Sequence, residues 1–109
     1  MTAAKAKWRW QGSPGHFICS DRCVFHLCTV VGGYLVSTVG EFRPRFDAPW
    51  EEVGLGRMYE TMVFKAVGCD EPGCDEKHQE GECLEMVPAH DRAQARAVHE
   101  ACCRRWARR

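Results

Sequence analysis

VFHLCTVVGGYLVSTVGEF, residues 24–42, places two runs of β-branched and aromatic residues on either side of Gly32-Gly33. Glycine supplies the positive φ that a two-residue hairpin turn requires, so the stretch predicts two antiparallel strands of fixed register. Counting outward from the glycines pairs Val31 with Tyr34, Thr29 with Val36, Leu27 with Thr38 and His26 with Val39. Alternation then puts Phe25, Leu27, Thr29, Val31, Tyr34, Val36 and Thr38 on one face, with His26, Cys28, Val30, Leu35 and Val39 on the other. Both faces carry apolar side chains, so other elements are expected to cover both sides.

Upstream of the hairpin, residues 1–7 read as a loose tail, Trp8-Arg9-Trp10 as an edge strand and His16–Ser20 as a short strand. Gly12, Ser13, Pro14 and Gly15 crowd into a turn between them. Downstream, the prolines and glycines of RPRFDAPWEEVGLG predict a loop around Trp50. Arg57–Val67 resumes the alternation, with Met58, Glu60, Met62 and Phe64 on one face and Tyr59, Thr61, Val63 and Lys65 on the other. Nothing helical separates this strand from the hairpin, so it is expected to join an antiparallel sheet. Residues 68–87 are acidic, rich in cysteine and lack any period, which reads as a loop. From Pro88 to Arg109 the pattern is helical, and Ala95, Val98, His99, Cys102, Cys103 and Trp106 fall on one stripe. His99 is therefore expected to point inward, and Trp106 to seal the helix onto the sheet.

The fold class predicted is α+β: a single domain over residues 1–109, with a β region at 8–67, an acidic loop at 68–87 and a closing helix at 88–109. A mainly antiparallel sheet of three to five strands carries the helix on one side. The 109 residues suffice for one modest core but not for a second domain. Net charge is zero, which argues against a dedicated nucleic-acid binder while leaving local basic contacts at Lys5–Arg9 and the terminal arginines. The first fifteen residues hold no apolar run resembling a signal peptide, so a cytoplasmic location is expected.

In a reducing compartment, eight cysteines suggest metal ligands or buried apolar residues before disulfides. The leading metal set joins Cys69 and Cys74, spaced CxxxxC in a turn, to His99 and Cys103, one helical turn apart. Two thiolates from a turn and two ligands from a helix supply the four tetrahedral directions that a structural zinc ion takes. Cys102 is an alternative to Cys103, and His78 with Cys83 is an alternative to His99 with Cys103 within a local loop chelate. A second cluster, His16, Cys19, Cys23 and His26, has suitable ligand types and would bring the count to two ions. The bland reading is that these cysteines fill the core and His99 is hydrogen-bonded there. A catalytic reading uses His16 or His26 as general base, aided by Glu41 or Glu60. Phosphate-loop, nucleophile-elbow, metalloprotease and deaminase signatures are absent from the sequence.

The pattern HFICSDRCVFHLCTVVGGYLVSTVGEF, then VGLGRMYETMVF and a terminal HEACCRRW, resembles a group of small uncharacterised proteins encoded by actinobacteriophages and related prophages. The resemblance covers about Trp8 to Val67 and the last helical turns, while the acidic cysteine loop matches poorly. Recurring positions of that group correspond to His16, Cys23, Phe25, Thr29, Ser37 to Gly40, Glu60 to Met62, His99, Cys103 and Trp106. The resemblance favours Cys103 over Cys102 as a ligand and implies a phage accessory protein made in the host cytoplasm. It carries no activity with it. With no catalytic signature and a charge-segregated surface, the expected function is non-enzymatic binding of a host or phage protein. The alternatives are a small hydrolase or transferase using His16, His26 and Glu60, or a nucleic-acid-binding zinc module.

Overall fold

The computed structural model describes residues 8–10, 22–43, 49, 51–53, 57–68, 72 and 77–109. They form strands β1 (Trp8–Trp10), β2 (Cys23–Val31), β3 (Tyr34–Phe42), β4 (Tyr59–Gly68) and β5 (Lys77–Ala89), then helix α1 (Arg92–Trp106). The five strands make one antiparallel meander in the order β1-β2-β3-β4-β5.

The hairpin register is the one read from Gly32-Gly33: Val31 pairs with Tyr34, Thr29 with Val36, Leu27 with Thr38 and His26 with Val39. Gly32 holds φ +60°, the freedom for which glycine stands at this turn. Trp8–Trp10 is the expected edge strand, and β4 is the third partner, with Thr61 opposite Thr38 and Val63 opposite Val36. His16–Ser20 lies outside the described residues.

Residues 77–89 correct the expectation of a loop over 68–87, and the helix begins at Arg92 rather than at Pro88. The ladder with β4 slips between Val63, which faces Glu85, and Lys65, which faces Glu80. Gly81, at φ +75°, lies in that slip. A bulge of this kind shifts alternation part-way along a strand and erases the period of two. Pro88 is accommodated because β5 is an edge among the described residues, where one row of N–H groups has no described ladder partner to lose.

The helix starts where local chemistry dictates. Asp91 Oδ1 accepts from Gln94 N at 2.8 Å, and the Gln94 side chain accepts in return from His90 N. Ala95, His99, Cys102, Cys103 and Trp106 are buried on the predicted stripe, and Arg104 and Arg105 complement the dipole in the last turn. Trp106 does close the helix onto the sheet: its ring meets Tyr34 edge-on at 4.7 Å, and Nε1 donates to Glu85 at 2.7 Å.

The helix face of the sheet carries two apolar clusters. Val31, Val36, Val63, Cys102, Cys103 and Trp106 form one, and Phe25, Tyr59, Ala89 and Ala95 the other. The opposite face is buried as well, with Cys28 and Leu35 fully inaccessible beside Phe64. That agrees with the expectation that both sides of the hairpin are covered.

Candidate functional site

Between the two apolar clusters lies a polar seam. Thr29, Thr38 and Thr61 project from three adjacent strands toward the helix, and His99 reaches down to them. Thr29 Oγ1 lies 2.8 Å from Nε2 and Thr38 Oγ1 lies 2.7 Å from Nδ1. Thr38 Oγ1 in turn lies 2.6 Å from Thr61 Oγ1. The Thr29 hydroxyl also hydrogen-bonds the Cys103 thiol. A neutral imidazole donates from one nitrogen and accepts at the other, and a hydroxyl can do both, so every member of the seam is satisfied.

Burial, aided by the charge of Arg96, lowers the His99 pKa to about 4, so the ring is neutral at pH 7. Burial likewise pushes the Cys103 thiol up to about 12, with the Thr29 bond acting the other way. This is an uncharged device: it holds the helix in register on the sheet and offers no acid or base poised near neutrality.

A second polar cluster sits beside the start of α1. Glu41 holds φ +55°, a left-handed conformation rare for a residue with a side chain, and turns its buried carboxylate toward the helix. There Tyr59 Oη donates to it at 2.5 Å, and Arg92 donates from two guanidinium nitrogens at 2.5 and 2.6 Å. The Arg92 bonds hold the Glu41 carboxyl below its usual range against the opposing effect of burial. Gly40 makes room for this: a Cβ there would stand 2.1 Å from Cδ2 of the Tyr59 ring. Arg92 and Arg96 also lie over the Phe25 ring, 5.7 and 5.8 Å from its centre.

The residues singled out by spacing divide as follows. His99 and Cys103 lie side by side as the helical reading required, but both ring nitrogens are engaged by threonines. Zinc at His99 would require one of those bonds to be surrendered. Cys69 and Cys74 lie outside the described residues, as do His16 and Cys19. Cys102 is buried near Arg105, whose guanidinium approaches its sulfur at 3.3 Å. The local chelate does not assemble from its described members: His78 is opposite Val67 on exposed strand, while Cys83 packs toward Phe64 and donates to Glu85 O. Extended backbone on the order of 15 Å separates them.

The amino-terminal cluster fares differently. Cys23 and His26 both lie against the row of Val39, on the face away from the helix, and His26 Nδ1 is buried without a hydrogen-bond partner among the described residues. His26 and Glu60 share that row with Val39 between them, so about 10 Å of sheet keeps them apart. Glu60 meets Arg57 at 3.1 Å instead. Glu41, engaged by Tyr59 and Arg92 on the helix side, is removed from His26 as well. The described part of the proposed acid–base set is therefore not brought together. Among the described residues no three His, Cys, Asp or Glu side chains converge as metal ligands.

No family model, curated protein or solved structure matches this chain. No helix among the described residues is long and apolar enough to cross a membrane.

What spacing alone did not reveal is a cleft of about 180 Å³ where the helix flank faces β1 and β2. Its signal was weak but present: Trp10 lies on the same face as Thr29, opposite an inward histidine. The exposed β5 edge was hidden with β5 itself.

Proposed function

We propose that the protein acts non-enzymatically, as a phage-type accessory protein in the host cytoplasm, by binding a host or phage protein along β5. The observation that carries this is the edge itself. Within the described residues β5 pairs only with β4, and it exposes Leu84 at 48 % and Met86 at 42 %. Glu80 and Glu82 stand beside them, behind the acidic run that begins at Cys69. An extended edge offers main-chain hydrogen bonds to an added strand, while the acidic surroundings select a basic segment and discourage a second copy of β5. The buried polar groups support the same reading, since His99, Thr29, Thr38, Glu41 and Tyr59 are engaged in holding the helix to the sheet.

Capture from an actinobacterial host lysate tests it, comparing the intact protein with a Leu84→Glu, Met86→Glu variant over a salt series. The expected result is a partner retained at low salt, released as salt rises, and lost on the variant. Capture that ignores the two substitutions, or no capture at any salt, would reject the reading.

A structural zinc ion belongs to the same proposal, placed at the cluster His16, Cys19, Cys23 and His26, of which Cys23 and His26 are described. His26 Nδ1 has a lone pair or proton with no partner among the described residues, and Cys23 lies on its side of the sheet. Zinc there would tie the segment before β2 to the sheet face opposite α1. Elemental analysis of protein purified without added metal should give one equivalent, lost in His26→Ala and kept in Cys69→Ser. Zinc retained by the first variant and lost by the second would restore the clamp through Cys69, Cys74, His99 and Cys103.

A further inference from the structure

One helix, about 10 Å wide, cannot cover five strands spaced about 4.8 Å apart. Here α1 packs chiefly on β3, β4 and β5. Among the described residues the flank over β1 and β2 is left open, and the cleft of about 180 Å³ lies there. Trp10 and Leu27 form its apolar walls, while Thr29, His99 and Cys103 form the floor. Arg96 and Glu100, one turn apart, stand at the rim on the side of the helix turned toward β1.

We propose that this cleft binds a free α-amino acid with a flat apolar side chain. The floor is uncharged and internally satisfied, because Thr29 and His99 are hydrogen-bonded to each other. A ligand therefore gains little by carrying charge inward, and an apolar body fits there better. Trp10, 65 % exposed, gives that body an aromatic wall on which a ring can stack. A cleft of about 180 Å³ is of the order that takes up one aromatic ring.

Charge is read at the rim, where both signs are present. Arg96 suits a carboxylate through its planar fork, and Glu100 suits an ammonium group. The two are not spent on one another: among the described residues neither forms a salt bridge, and the Arg96 guanidinium rests over Phe25. Arginine four residues before glutamate is also the weaker order for pairing along a helix. A zwitterion with an apolar side chain complements all three features at once, whereas a peptide end carries only one of the two charges.

NMR titration with L-phenylalanine, L-phenylalaninamide and N-acetyl-L-phenylalanine tests the assignment. Phenylalanine should shift the Trp10 indole and Leu27 methyl signals saturably, with each blocked compound binding at least tenfold more weakly. Arg96→Gln should abolish the preference over the amide, Glu100→Gln the preference over the N-acetyl compound, and Trp10→Ala the binding itself. All three positions are on the surface, and unchanged far-ultraviolet circular dichroism would establish that the variants fold. The proposal fails if phenylalanine gives no saturable shift, if either blocked compound binds as tightly, or if the shifts fall elsewhere. It is independent of the β5 reading, so Leu84→Glu, Met86→Glu should leave phenylalanine binding intact.

Discussion

Replacing His99 with alanine should destabilise the protein by about 3–5 kcal/mol, a large share of what a domain of this size has. The substitution removes two hydrogen bonds at once, leaving Thr38 only its bond to Thr61 and Thr29 only its bond to Cys103. It also leaves a cavity under α1 that the flanking valines and cysteines cannot fill without moving the helix. Urea unfolding measures the loss. Thr38→Val should cost less, and combining it with His99→Ala should cost less than the sum of the two, because both remove the same bond. A loss below about 1 kcal/mol for His99→Ala, or strict additivity, would mean the seam does not hold the helix.

The same residue sets a pH dependence whose sign is determined. The folded pKa of about 4 lies below the ordinary value of 6.5, so between those two pH values the unfolded chain binds the extra proton. The stabilisation is fully present above pH 6.5 and is lost progressively as the pH falls to about 4. At about 1.4 kcal/mol per unit the span is worth roughly 3 kcal/mol. His99→Ala should flatten the stability curve in that window. The Glu41 carboxyl acts lower: its contribution is present above 4.5 and disappears as the pH falls through its depressed folded value.

Glu41→Ala is the second large effect, with an expected loss of about 2–3 kcal/mol. The buried Tyr59 hydroxyl loses its acceptor, and that is the larger part. Arg92 loses a bidentate partner too, but its side chain is 58 % exposed and water replaces much of what the carboxylate supplied. Glu41→Gly removes the same carboxylate yet suits φ +55°, so it should be more stable than Glu41→Ala by about 1 kcal/mol. Thermal or urea unfolding of the pair decides this. Equal stabilities, or alanine the better of the two, would show that residue 41 is not left-handed in solution.

Much of the fold could be read from residues alone because its determinants are local. Gly32-Gly33 set the register of β2 and β3, and the stripe from Ala95 to Trp106 set the inward face of α1. Alternation puts Thr29 and Thr38 on one face of the hairpin, and the helical period puts His99 on the inward stripe of α1. What could not be read was that they meet, because His99 is 70 positions from Thr29 and 61 from Thr38. A histidine one turn before a cysteine looks the same whether it awaits a metal or a pair of hydroxyls. β5 escaped for another reason: the slip at Gly81 breaks its alternation, and its stability comes from pairing with β4 rather than from propensity. Glu41 gave no hint, since a left-handed glutamate follows from its carboxylate partners and not from its own preferences.

A neutral His99 bridging two threonines joins the helix to the sheet. NMR titration of its ring nitrogens, with and without added zinc, tests this most directly. The ring should hold a single neutral tautomer down to a pH near 4, with nitrogen shifts unmoved by zinc or by chelator. A ring that titrates near 6.5, or whose nitrogens shift when zinc is added, would contradict it.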